Sequence, residues 1–365
     1  MQIAGFTLSR YLAREFLVAI LAVFALCIGL VFLADMVELL RRATRSPDVS
    51  FATVATMAAL HTPMIAQKAF PFAVLLGAMA AFIRLGRNNE LVVARAAGVS
   101  VWQFLAPPVA VAVVAGFAIP TVYSPVAAAF TQRYQVLEGR YLTGRTNLLT
   151  VSAGGLWLRQ TSEGRVSIVH ALRSQDGGRV LEDVTVFQYD VMDDFDRRLD
   201  AVTATLIPGA WQLDGVTESK PGAAPNQLER LNVPTTLTLD QIQESFAPPE
   251  TMSFWELPAF IRVLESSGFP AARHRLHWHA LISQPMLLAA MVLVAAAFSL
   301  RLQRLGGITK LLGGGVAAGF GLYFVSDVAL ALGLSGAIPP AMAAWTPAAI
   351  AAMLGAAALF HIEDG

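Results

Sequence analysis

The side chains best suited to chemistry in this chain sit in unexpected places. Asp35, Glu38, His61, Gln67, Lys68 and Asp327 all lie inside long apolar runs. A charged side chain within a membrane span is expensive, so it marks either a buried pair that fixes helix register or a contact with something polar. At ~1.5 Å rise per residue, Asp35 and His61 fall at similar depth, which predicts that they pair or share a polar cavity. Lys68 lies near the middle of its run, too deep for simple snorkelling. A second group is basic: Arg41, Arg42 and Arg45 cluster just beyond the first run. They suit either lipid headgroups or an anionic lipid or phosphate. With Asp35, His61, Lys68 and Arg133 they make up the candidate substrate-binding set.

Other chemistries are absent from the sequence. It contains no G-x-x-x-x-G-K-[ST] phosphate loop, no G-x-S-x-G elbow and no H-E-x-x-H pair. The chain is not expected to hydrolyse ATP, to act as an enzyme or to bind a cofactor. His274, His277 and His279 are spaced by three and two, which does not align all three on one helical face. Asp190, Asp193, Asp194 and Asp196 lack the glycine of a calcium loop and read as a solvated turn. Gly313, Gly314, Gly315, Gly319 and Gly321 lie in an apolar span, with Gly315 and Gly319 at the G-x-x-x-G spacing of close helix packing.

The elements that position these residues follow from composition. Of 365 residues 55% are hydrophobic and 14% charged, with mean hydropathy +0.57; soluble domains carry ~25% charge. Net charge is zero, which argues against nucleic acid as a partner. Cys27 is the single cysteine, so no intrachain disulfide exists. Phe16–Ala34 is too long for a signal-peptide core and no small-x-small site follows it, so it reads as an uncleaved span.

Six segments are long enough to span a bilayer: about 16–40, 51–83, 102–123, 279–300, 309–332 and 339–360. Pro63 and Pro71 predict a kink or tilt in the second. With the N-terminus inside, eight basic residues (Arg10, Arg14, Arg84, Arg87, Arg95, Arg301, Arg304, Lys310) lie in inner segments. Three (Arg41, Arg42, Arg45) lie in the short outer loops, so both termini are expected inside and the polar middle outside.

The expected organisation is residues 1–125 as membrane helices one to three, 126–272 as an outer β domain, and 273–365 as helices four to six. In the middle block, β-rich runs recur about every ten residues, separated by turns such as Asp176-Gly177-Gly178 and Pro208-Gly209. This predicts an antiparallel sandwich or open barrel. Val184 and Val186 alternate with Thr185, Phe187 and Tyr189. Ser253-Phe254-Trp255-Glu256 matches a capping box, predicting a helix over about 253–266. Its apolar face, Phe254, Leu257, Ile261 and Leu264, suits the membrane surface or the underside of the β domain. Between spans two and three, a short amphipathic helix is expected over about 86–98, ended by Gly98. Such a helix is either an interfacial element or the place where a permease meets a separate ATPase.

That last segment, Asn89-Glu90-Leu91-Val92-Val93-Ala94-Arg95-Ala96-Ala97-Gly98-Val99-Ser100, resembles the S-E-L-V-V-x-R-A-x-G-x-S signature of the lipopolysaccharide-export permeases of the LptF/LptG family. Asn89 stands where Ser is usual. Pro71–Gly77 is similar to the family's P-x-A-x-L-L-G, Gly155-Leu156-Trp157 to its G-L-W, and Gly336–Pro340 to the stretch before its last span. Ser267-Gly268 and Gln284-Pro285 match as well. The forms E-L-V-V-x-R-A, G-L-W and I-P-P favour the LptG branch. The resemblance implies an α-helical membrane fold of six spans with an inserted periplasmic, jellyroll-like all-β domain. It implies half of an ABC transporter: a heterodimer with an LptF-type permease, two LptB-type ATPase subunits that use ATP and Mg, and LptC-type and LptA-type bridge proteins. Lipopolysaccharide would leave the outer leaflet of the bacterial inner membrane and pass through the periplasmic domain. The inner-loop helix would be the coupling helix, with Glu90, Leu91 and Arg95 at the ATPase. The alternatives are the LptF-type subunit itself, or a membrane scaffold that does not transport.

Overall fold

The structure, a computed structural model, describes residues 2–43, 50–143, 148–152, 155–162, 165–190, 194–239, 242, 248–266, 269–302 and 308–363. Arg45, Asp193, Ser267, Gly268 and Arg304 lie outside the described residues. Two compact units emerge: Met1–Glu138 with Arg275–Gly365, and Gly139–His274.

The first unit is helical. α1 (Gln2–Ala43) and α2 (Phe51–Arg87) are followed by a short α3 (Glu90–Ala96) and by α4 (Val101–Ala118). A π-helical turn, Ile119–Tyr123, carries α4 directly into α5 (Ser124–Glu138). After the second unit come α7 (Ala272–Ile282), α8 (Gln284–Leu302), α9 (Ile308–Leu334) and α10 (Pro340–Glu363). Among the described residues, five helices are long and apolar enough to cross a membrane, and a sixth span results if the bent pair α7–α8 counts as one.

In the helical unit, the third span, the fourth span and the inner-loop helix differ from the sequence expectation. The third span does not stop at Tyr123: Pro120 cannot donate a backbone hydrogen bond, and the ladder widens there into a π turn instead of ending. The fourth span begins earlier and bends by 50° between α7 and α8, where Pro285 removes an N–H at the first turn of α8. The inner-loop helix covers only Glu90–Ala96, because α2 itself extends to Arg87 and Asn89 turns into the left-handed region at φ 60°. Asparagine tolerates that conformation better than serine, which accounts for the residue found there.

The helices pack closely at glycines. A Cβ on Gly77 would lie 2.6 Å from Ile20 Cα of α1, and one on Gly116 2.3 Å from Pro285 Cα of α8. Gly315 and Gly319 of α9 meet Met79 and Leu75 of α2 at 2.3 and 2.5 Å by the same measure, so the G-x-x-x-G stripe is a packing face. The core between these helices contains Phe16, Val74, Leu75, Phe82, Leu105 and Leu288.

The second unit holds a single seven-stranded antiparallel sheet in sequential order. Its strands are β1 (Leu148–Ser152), β2 (Gly155–Ser162), β3 (Arg165–Gln175), β4 (Val180–Tyr189), β5 (Phe195–Ile207), β6 (Ala210–Ser219) and β7 (Asn226–Pro234). Short turn-rich connections permit only neighbour pairing, which gives a meander. The fold class is therefore the expected one, membrane helices with an inserted all-β domain. One face is buried: Leu158, Val169, Val184, Val186, Leu199, Leu213 and Val216 are each at most 2% exposed. The alternation changes phase at Asp183 (φ 51°) and at Gly215 (φ 66°), while the pairing register with the neighbouring strands is kept across both.

α6 (Leu257–Ser266) starts later than expected. Residues 254–256 form a turn, with the Ser253 N–H donating to Glu256 Oε2 at 3.0 Å. Its apolar face is closed, with Leu257 and Leu264 fully buried, and the helix contacts β1. Packing within the β unit is thus what that face does.

Candidate lipid-facing site and coupling helix

The C-terminal ends of α1 and α5 and the N-terminal half of α2 meet in a polar network. Asp35 on α1 lies 2.9 Å from His61 Nδ1 on α2 through Oδ1. The Asp35 side chain is 10% exposed, and its Oδ2 is buried with no hydrogen-bond partner. The His61 ring stacks on Tyr134 of α5, centroids 4.3 Å apart and planes within 10°. The Tyr134 hydroxyl donates to Glu138 Oε1 at 3.1 Å, and Arg42 Nη1 lies 3.5 Å from the same oxygen. Arg42 and Arg41 both bind Glu38: Arg41 by two bonds of 2.9 and 2.8 Å, Arg42 by one of 2.9 Å.

This network changes the reading of the basic cluster. Arg41 and Arg42 are already engaged by Glu38 and Glu138, so an anion arriving here displaces carboxylates instead of meeting bare cations. Exposed pairs of this kind hold only ~0–1 kcal/mol each, so the displacement is cheap. Arg133 is exposed on α5, one residue from the buried Tyr134. Sequence reasoning found Asp35 and His61 but missed Tyr134 and Glu138, because it ended the third span before them.

Deeper along α2, Phe24, Phe70 and Tyr123 cluster, with Phe24 and Phe70 stacked at 4.0 Å. The Tyr123 hydroxyl, in the π turn, donates to the Pro63 carbonyl at 2.8 Å, tying the two irregular points of α2 and the third span together. Lys68 is exposed half-way along α2, and Asp327 is exposed on α9. A single such charge facing hydrocarbon at a helix centre costs ~2.5–3.5 kcal/mol, so this face of the protein meets water, a polar group or another chain.

At the opposite end of the helical unit, Glu15 of α1 pairs with Arg84 of α2 at 2.9 Å. α3 lies beside this pair. Glu90, its first residue, accepts from Asn88 Nδ2 at 3.2 Å and interacts with the Tyr11 hydroxyl. Leu91 and Ala94 are buried and anchor the helix, whereas Val92 and Val93 are 63% and 66% exposed. Arg95 is exposed beside them. Gly98, at φ 82°, ends the helix, and the Ser100 and Gln103 capping box starts α4. Thus α3 is a short ridge fixed on one side and apolar on the other. Leu91, expected at a partner surface, instead faces inward; the exposed valines were not singled out by sequence.

No group of three or more metal-ligating side chains occurs among the described residues.

Comparison with known proteins gives a consistent picture. The sequence profile of the lipopolysaccharide export system permease family LptF/LptG matches residues 10–361. The lipopolysaccharide export system permease protein LptG of Escherichia coli K12 is 26% identical over 354 residues, 94% of each chain. The LptG protein of Haemophilus influenzae is 26% identical over 340 residues, 88% of this chain and 89% of that one.

Proposed function

This chain belongs to the LptF/LptG family of lipopolysaccharide export permeases, and we propose that it works as the LptG-type half of an ABC transporter in the bacterial inner membrane. In this reading it pairs with an LptF-type subunit. Two LptB-type ATPases supply the work, using ATP and Mg that this chain does not bind. Lipopolysaccharide is drawn from the outer leaflet, and the β domain hands it toward LptC-type and LptA-type bridge proteins. Extraction must offset the burial of several acyl chains at ~0.8 kcal/mol per CH₂, which a static site in one chain does not supply.

The observation that carries the reading is α3. A seven-residue helix anchored by Leu91 and Ala94 leaves Val92, Val93 and Arg95 facing outward. An exposed apolar pair beside a cation is a compact docking ridge, and Glu90 at its start connects through Tyr11 to α1, the helix that carries Asp35 and the outer arginines. Movement of a docked ATPase thus has a continuous mechanical route to the outer network, along ~36 Å of α1.

The test is co-purification with an ABC-type ATPase, followed by lipopolysaccharide-stimulated ATP hydrolysis. The reading predicts a stable complex whose hydrolysis rises with lipopolysaccharide, and a Glu90→Ala chain that still inserts but loses that stimulation. A chain that captures no ATPase sinks the proposal.

A further inference from the structure

Three residues of α2 form the stripe that packs on α9. Met79 and Leu75 fit over Gly315 and Gly319. Phe72 lies 5.3 Å from Phe320 and 5.6 Å from Tyr323, ring to ring. The two helices run antiparallel along this seam. A step of one turn from Met79 to Leu75 on α2 is matched by a step of one turn from Gly315 to Gly319 on α9. Continuing past the Phe72–Tyr323 contact by one turn on each helix reaches Lys68 on α2 and Asp327 on α9. Opposite charges therefore stand at the same level on facing stripes of two packed helices.

Both residues are exposed, and neither carries an ion pair or hydrogen bond among the described residues. Both also lie within segments apolar enough to span the membrane. An ammonium and a carboxylate at such depth are held by water in a cavity, by a polar group of another chain, or by each other. The Phe72–Tyr323 contact lies one turn short of them, and Tyr323 is itself 42% exposed.

We propose that Lys68 and Asp327 are a poised latch. They join across the α2–α9 seam in a second conformation, extending the Phe72–Tyr323 contact by one turn, and they stand apart in the conformation described here. The small residues of α9 suit this motion, because Gly315 and Gly319 present no side chain that would resist a shift against Met79 and Leu75. The latch would give the outer half of α9 two positions, a packed one with the charges paired and an open one with them wetted. The inference requires only that α2 and α9 sit in a membrane. It does not depend on what the protein carries.

The test uses the full-length chain in membranes with Cys27→Ala, which removes the single native thiol. Lys68→Cys and Asp327→Cys are added, together with a protease site in the exposed turn at residues 220–225. An oxidant-induced disulfide, which requires Cα atoms within about 7 Å, keeps the two cleaved halves together on a non-reducing gel. Lys68→Cys with Val325→Cys, exposed on another face of α9, is the control. The latch predicts a cross-link well above that control. It also predicts that Lys68→Asp and Asp327→Lys each lower thermal stability of the detergent-extracted protein or ATP-driven turnover of its complex. The double exchange then recovers about tenfold of the loss in whichever equilibrium or rate is affected, the coupling expected of groups in contact. A cross-link no higher than the control, or a double exchange as damaged as the worse single one, overturns the proposal. Because the cross-link is read without transport, failure of the latch is distinct from failure of the export reading.

Discussion

Asp35 and His61 meet at 2.9 Å between α1 and α2, and the histidine uses its ring face at the same time to stack on Tyr134 of α5. One imidazole thus joins three helices. Removing its carboxylate partner strips the link from α1 while leaving the stack in place.

Asp35→Ala is accordingly expected to destabilise the protein by about 1–3 kcal/mol, the cost of leaving a part-buried polar group without its partner. A lowered melting temperature in detergent is the readout. His61→Ala should cost at least as much, since it loses the ring stack as well. An Asp35→Ala protein with unchanged melting and unchanged lipopolysaccharide-stimulated hydrolysis would remove the network from both structure and function.

Gly116 lies so close to α8 that a methyl group would sit 2.3 Å from Pro285 Cα, with Pro285 N and the Gln284 carbonyl carbon also in the way. Gly116→Ala should therefore destabilise by about 1–3 kcal/mol, because backbone cannot rotate aside as a side chain can. Gly29, also helical, has open space around its Cβ position, and Gly29→Ala should be neutral or stabilising by up to ~1 kcal/mol. Side-by-side thermal melts of the two variants check the contrast. Equal effects would mean that the third span and α8 do not touch at this point.

Val93 is the most exposed apolar residue of α3. Val93→Asp should alter the stability of the isolated chain by no more than ~0.5 kcal/mol, as for most surface changes, yet abolish stimulation of a bound ATPase. Melting and hydrolysis measured on the same preparation separate the two effects. Unimpaired stimulation would place the coupling surface elsewhere.

In the β unit, Arg197 donates from Nη1 to Glu218 Oε1 at 2.8 Å, with Lys220 Nζ 3.4 Å away. The Arg197 hydrogen bond, aided by the Lys220 charge, holds the Glu218 carboxyl below its ordinary value. A carboxyl depressed in the folded state stabilises above its unfolded value, about 4.3, and that contribution is lost as pH falls from there through the folded value. Glu218→Gln should therefore melt lower than the parent at pH 6 and lose less of its stability on acidification to pH 3. Parallel melting-versus-pH curves for the two proteins would show that the pair contributes nothing.

Much of this arrangement was legible in the residues. The depth of Asp35 and His61 along two apolar runs was enough to foresee their meeting, because helical rise is nearly constant. The stripe of Gly315 and Gly319 announced a close contact, and the alternation of Val184 and Val186 announced the buried face of β4. What escaped reading depended on backbone events with weak local signals. The apolar run of the third span ends near residue 123, but the helix continues through a π turn at Pro120, so Tyr134 and Glu138 went unseen. The partnership of Arg41 and Arg42 with Glu38 was open to view at i−3 and i−4, but the cluster was weighed by its cations alone. That Val92 and Val93 would be the exposed pair of α3, and Leu91 the buried one, depends on which side of a seven-residue helix meets its neighbours, α2 among them. Periodicity over two turns does not decide that.

The sheet's sequential order sets its assembly apart from that of the helices. Each strand pairs only with the strand before and after it, so the β unit closes through short loops and needs nothing from the rest of the chain to begin folding. The helical unit has the opposite property. Its tightest glycine contacts, Gly116 with Pro285 and Gly315 with Met79, join halves that the whole β unit separates. During synthesis the first three spans must therefore wait in the membrane with small-residue faces unfilled until the last three arrive. That interval is when a chaperone, or a wrong helix, has its chance.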